Sequence, residues 1–176
     1  MKKKILILSI ALALVVGGLL VGAPAIPITV SASDNGTVSA TVTASLISVT
    51  VTPGTVAYGV LATGGSANTT TEGLGQTQTA NNTGTVSENF TIKSSDALGG
   101  TAWTLAADTG ALDEFTHEFS TNDGSSWTNL TDTYDTLAGS IAAGDNQTFD
   151  LRIGIPTTVT DYAEHTITVT VLATQS

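Results

Sequence analysis

The sequence predicts an all-β fold, on three observations. Thr is the commonest residue, and with frequent Val, Ile and Gly it gives a composition suited to pleated surfaces and tight turns. Apolar residues recur at every second position in several stretches, most clearly Val38-Ala40-Val42-Ala44-Leu46 and Phe149-Leu151-Ile153-Ile155. That is the period of a strand with one dry face. No stretch after the N-terminal apolar run carries a 3.6-residue repeat. About eight to ten short strands with turns at regular spacing describe an Ig-like or jelly-roll β-sandwich with an extended N-terminal strand.

Taken in order, the chain opens with Met1-Lys2-Lys3-Lys4 and an apolar run from Ile5 to Gly22. A basic start, an apolar middle and a small-residue tail make a secretory signal peptide. Cleavage after Ala32 (Val30-Ser31-Ala32) gives residues 1–32 as the signal; Ala23-Pro24-Ala25 offers an alternative after Ala25. A run of about 18 apolar residues can also just span a bilayer, but Gly17-Gly18 and the small-residue tail favour cleavage.

Residues 33–46 form an N-terminal extension and 47–176 the sandwich. From Val38 to Leu46 the apolar set is even-numbered; at Ile47 it turns odd and continues as Val49 and Val51. A one-residue slip sends later side chains to the opposite face, so 37–46 and 47–52 cannot share one flat sheet surface. Two readings stay open. One is a bulge, or a first strand crossing between the two sheets. The other is that Val38, Ala40, Val42, Ala44 and Leu46 are the knobs of a strand donated to a neighbouring subunit.

Pro53-Gly54 turns the chain, Val56 to Leu61 is a short strand, and 66–76 is a polar loop. Thr77 to Ala80 reads as a weak, edge-like strand, and Val86 to Lys93 as one with Phe90 and Ile92 inward. Ala102 to Ala106 follows, its Trp103 large enough to centre the core. Phe115 to Ser120 and Trp127 to Leu130 flank the turn signal Asn122-Asp123-Gly124. The run from Phe149 ends at Pro156, and the last run, from Tyr162, turns Ile167, Val169 and Val171 inward with His165 in their parity.

Without the signal, Lys93 and Arg152 are the only basic side chains against 15 carboxylates, a balance of −13. Nucleic acid and anionic membrane surfaces are excluded as partners, because both need cationic side chains. No cysteine is present, so no disulfide framework supports the core. Catalytic and metal motifs fail one by one. His117-Glu118 lacks the second imidazole of a zinc helix, and Asp108-Thr109-Gly110 is a single copy where proton sharing needs two carboxylates. Asp108, Asp113, Glu114 and Glu118 could group around Ca²⁺, but their spacing fits a solvated acidic face better. No enzyme activity, metal or cofactor is expected. Six of the eight Asn residues lie in Asn-x-Ser/Thr: Asn35, Asn68, Asn81, Asn89, Asn129 and Asn146 are candidate glycosylation sites.

The lysine-led signal, the alternating Thr/Val segment, Val49-Thr50-Val51-Thr52-Pro53 with Tyr58-Gly59, then Thr79 to Gly84 and Val86 to Thr91, resemble the TasA/camelysin-like secreted sandwiches and the related archaeal bundling-pilus subunits. Trp103-Thr104-Leu105 is similar to WxL surface domains, whose second Trp-x-Leu is absent. Ser120 to Trp127 resembles the Asp-box hairpin, with Asn122 where that box has Asp. The first resemblance implies a sandwich that polymerises head-to-tail by donating its N-terminal strand. The expected function is therefore a secreted structural subunit of an extracellular filament, its partners copies of itself. The alternative is a monomeric cell-surface module binding cell wall or glycan, with Tyr134 or Tyr162 as a sugar platform.

Overall fold

The structure, a computed structural model, describes residues 35–176. The expected signal peptide and residues 33–34 of the extension lie outside the described residues. By contacts the chain divides into Met1–Thr41 and Val42–Ser176, and the sandwich belongs wholly to the second unit.

The described residues are all-β, with ten strands in two sheets. The larger sheet runs β1 (Val49–Thr52), β3 (Gln78–Asn82), β9 (Asn146–Gly154), β6 (Glu114–Ser120) and β5 (Thr104–Leu105), with β2 (Ser66–Asn68) on β9 and β7 (Thr128–Asn129) on β6. The smaller sheet is β10 (Val169–Gln175), β4 (Glu88–Ser94) and β8 (Asp135–Ile141). All pairings are antiparallel except β5 with β6.

Alternation explains the centre. On β4, Phe90 and Ile92 are fully buried, while Asn89, Thr91 and Lys93 sit on the half-exposed face. On β9, Phe149, Leu151 and Ile153 turn inward. These residues, with Phe119, Leu130 and Leu137, make the main core, and Ala97, Trp103, Phe115, Ile153 and Ile155 a smaller one.

Several expectations are corrected. Trp103 does not centre the core: it adjoins the two-residue β5 at the end of the large sheet, and only the smaller cluster is within its reach. The Thr77–Ala80 strand is not an edge but lies between β1 and β9, with Ala80 fully buried and the Asn82 amide donating to the Val86 and Ile141 carbonyls. Val56 to Leu61 forms no strand, and glutamine side chains meet the backbone at and just before its start. Gln78 Oε1 accepts the Gly54 N–H and Gln76 Oε1 the Ala57 N–H, both at 2.9 Å. The expected loop 66–76 contains β2. β8 has no counterpart in the sequence reading, since Gly139 and the positive φ of Ser140 (55°) interrupt its alternation.

Candidate assembly surface

Residues 35–48 form no strand, and 35–47 are exposed. Val38 is 95% and Val42 96% exposed, and Ala40 and Ala44 are exposed with them. The anticipated apolar side of this segment thus stands in water. The phase flip falls where the chain becomes tied down. Leu46, 56% exposed, accepts the Thr85 N–H at 2.9 Å and donates its own N–H to Thr85 Oγ1. Ser48 accepts the Thr83 N–H and donates to Glu88 Oε1 at 2.8 Å. The fully buried Glu88 carboxylate therefore fixes the start of β1. Gly84 lets this crossing form: a Cβ there would stand 2.4 Å from the Leu46 carbonyl oxygen, so any larger residue would push the strap away.

Beyond the strap lies a row of half-buried apolar residues. Val49 and Val51 of β1, Val56 and Tyr58 of the strandless segment, and Val169, Val171 and Ala173 of β10 all pack on the main core without being covered by it. β1 and β10 are the facing edges of the two sheets and approach each other here. The sequence reading placed Val169 and Val171 in the core and did not single out this edge. Its signal was the lack of any charge from Thr166 to Gln175.

Buried polar groups hold the frame around this row. His117 on β6 lies between the Tyr58 hydroxyl at 3.0 Å and the Ser94 hydroxyl at 2.8 Å. Burial drives its imidazole down to about 4 and the Tyr58 phenol up. Both hydroxyls can donate or accept, so the neutral ring is satisfied. Where the chain approaches β10, His165 stacks on Trp103 with centroids 3.9 Å apart, and both ring nitrogens lie 2.9 Å from carbonyl oxygens, of Ala163 and Thr101. Asp161 caps the same junction: the backbone N–H groups of Ala163 and Thr101 hold its carboxyl below the usual range.

The other predicted residues scatter. Asn35, Asn129 and Asn146 are exposed. Asn68, Asn81 and Asn89 are half-buried and in use: the Asn68 side chain accepts from Thr70, Asn81 Nδ2 donates to the Thr79 carbonyl, and Asn89 Oδ1 accepts the Ser140 N–H. The acidic residues do not converge, and no group of three potential metal ligands occurs among the described residues. Asp113 binds Thr160, Glu118 takes Arg152 in a two-pronged pair at 2.5 and 2.7 Å, and Asp108 caps Gly110. In the Asn122 hairpin, Ser120 Oγ and Asn122 Oδ1 accept the Gly124 and Ser126 N–H groups, a turn with its own hydroxyls satisfied. Tyr134 is 41% exposed with the Lys93 ammonium 4.8 Å from its ring centre, and Tyr162 is 88% exposed.

Comparison with known proteins finds no matching family model, no matching curated protein and no matching solved structure.

Proposed function

We propose that this chain is a secreted structural subunit of an extracellular filament, of pilus or biofilm-matrix type, and that each copy lends residues 37–46 to the next as an added strand. The observation that carries the reading is the near-complete exposure of Val38 and Val42 in an alternating segment that forms no strand of its own. An uncovered valine forgoes about 1.5–3 kcal/mol of burial, and backbone without a ladder forgoes its hydrogen bonds. Strand addition recovers both. Head-to-tail lending is a contact that does not close on itself, so it builds a fibre. Glycans at Asn35, Asn129 and Asn146, the exposed sequons, would decorate that fibre.

The experiment compares residues 33–176 with 46–176 by electron microscopy, sedimentation and thermal melting. The longer chain is expected to form fibres, and the shorter to remain a monomer melting within a few degrees of it. Two monomers with equal melting would overturn the reading and leave the glycan-binding module, with Tyr162 as its platform.

A further inference from the structure

We infer that the free edge of β10 is the seat for residues 37–44 of a second copy, the Leu46 backbone staying tied to its own Thr85. The inference rests on the subunit reading above and adds to it the acceptor.

Ser176 donates its N–H to the Ser87 carbonyl, in register with the β10–β4 ladder. Hydrogen-bonded pairs recur every second residue in an antiparallel ladder, so the even-numbered residues of β10 point their N–H and C=O at β4. The Leu172 carbonyl, which also accepts from Thr91 Oγ1, agrees with this parity. The odd residues Val169, Val171 and Ala173 therefore aim their backbone groups away from β4, at an edge with no ladder partner among the described residues. The same three residues turn their side chains toward the core and are only half-buried. Unpaired backbone and uncovered apolar side chains thus coincide on one line.

The other edges of the fold are blunted. β8, across the smaller sheet, slips register twice against β4 and carries Ser140 at φ 55°. β5 and β7 have two residues each, β2 has three, and β1 has four before Pro53. β10 has seven, pairs with β4 without a slip, and contains no charge, proline or glycine. Sandwiches normally protect such an edge with charge, proline or a bulge, because it templates pairing with another chain.

Charge and shape then choose the occupant. Chains carrying −13 without the signal repel, so copies must meet through neutral surface. Residues 35–71 hold no charged side chain, and neither do 166–176. Residues 37–44 match β10 in length and in pattern: Val38, Ala40, Val42 and Ala44 would lie beside Val169, Val171 and Ala173, and Ser39, Thr41 and Thr43 beside the outer-face row Thr170, Leu172 and Thr174, with Thr41 in the middle beside Leu172.

The test uses paired cysteines in the full mature chain, which has none of its own. Ser39→Cys, Thr41→Cys or Thr43→Cys is combined with Thr170→Cys or Leu172→Cys, and fibres are oxidised and run without reductant. At least one double variant is expected to give a ladder of covalent oligomers, while the single variants give none. A compact monomer with an internal bridge would overturn the inference in favour of the chain's own segment. Dimers from Leu172→Cys alone would overturn it in favour of β10 meeting β10. Fibres without any crosslink would refute the seat and leave the subunit reading standing; no fibres at all would remove both. Ala173→Pro gives a second measurement, since its N–H faces the free edge and no β4 bond is lost. It is expected to keep the monomer folded and slow fibre growth more than tenfold. Undiminished growth would exclude this edge.

Discussion

β9 and residues 37–46 carry the same alternation and meet opposite fates. In β9, Phe149, Leu151 and Ile153 are at most 4% exposed, whereas Val38 and Val42 are at least 95% exposed. Two differences account for this. β9 has neighbours along both edges, β3 and β2 on one and β6 on the other, while 37–46 has no strand beside it among the described residues. The inward set of β9 is also bulkier, Phe, Leu and Ile against two Val, two Ala and a single Leu in 37–46. Alternation therefore says which side chains need cover, and leaves open which molecule supplies it.

The largest effect that would sharpen this contrast is on the covered side. Phe149→Ala is expected to lower the unfolding free energy by about 3–5 kcal/mol in urea titrations, the cost of an aromatic-sized void. A loss below about 1 kcal/mol would mean that the β9 face is not the centre of the fold.

Next comes the dryness of the same interior, read through His117. The buried ring binds its proton at about 4, and the unfolded chain binds it at 6.5. Between those values the unfolded state holds more protons, so stability rises with pH. The contribution is complete above pH 6.5 and falls by about 3 kcal/mol as pH drops to 4. His117→Gln is expected to remove that slope, leaving the part due to carboxylates held low, such as Asp161, at more acidic pH. Equal slopes in both proteins would show that water reaches the ring.

A smaller effect belongs to the outer face of β9. Arg152 grips Glu118 and lies 4.8 Å from the Trp127 ring centre, but its side chain is 35% exposed. Solvent weakens such pairs, so a double-mutant cycle of Arg152→Ala and Glu118→Ala is expected to give a coupling below about 1 kcal/mol.

How much of this was legible in the sequence follows from what each element depends on. β4, β6 and β9 were readable because long alternating runs with Phe, Leu and Ile specify a buried face locally. β8 was not, since Gly139 and Ser140 break its period at the bulge. Val56 to Leu61 has strand composition without a strand: no neighbouring strand pairs with it among the described residues, and the Ala57 N–H goes to the Gln76 side chain. In the candidate surface, the proposed donor residues were visible as an alternation out of phase with β1. The β10 edge was not, because an unpaired edge is a property of topology: Val169 and Val171 look the same in sequence whether or not another strand lies beside them.

The smallest effect on the folded monomer belongs to the exposed stretch, and it separates the two regions most sharply. Changing Val38 and Val42 together to Ser alters two side chains that are at least 95% exposed, so unfolding should stay within about 0.5 kcal/mol of the parent. If those valines are covered only in a neighbouring copy, each loses about 1.5–3 kcal/mol of burial there, and the concentration needed for fibres rises more than tenfold. Sedimentation across a concentration series reads the second quantity and urea titration the first. A double variant that destabilises the monomer as strongly as Phe149→Ala would place these valines inside their own fold, and the contrast with β9 would disappear. A variant that leaves both quantities untouched would make the segment a passive tail. Only an intact monomer with impaired assembly fits a strand whose cover is another molecule.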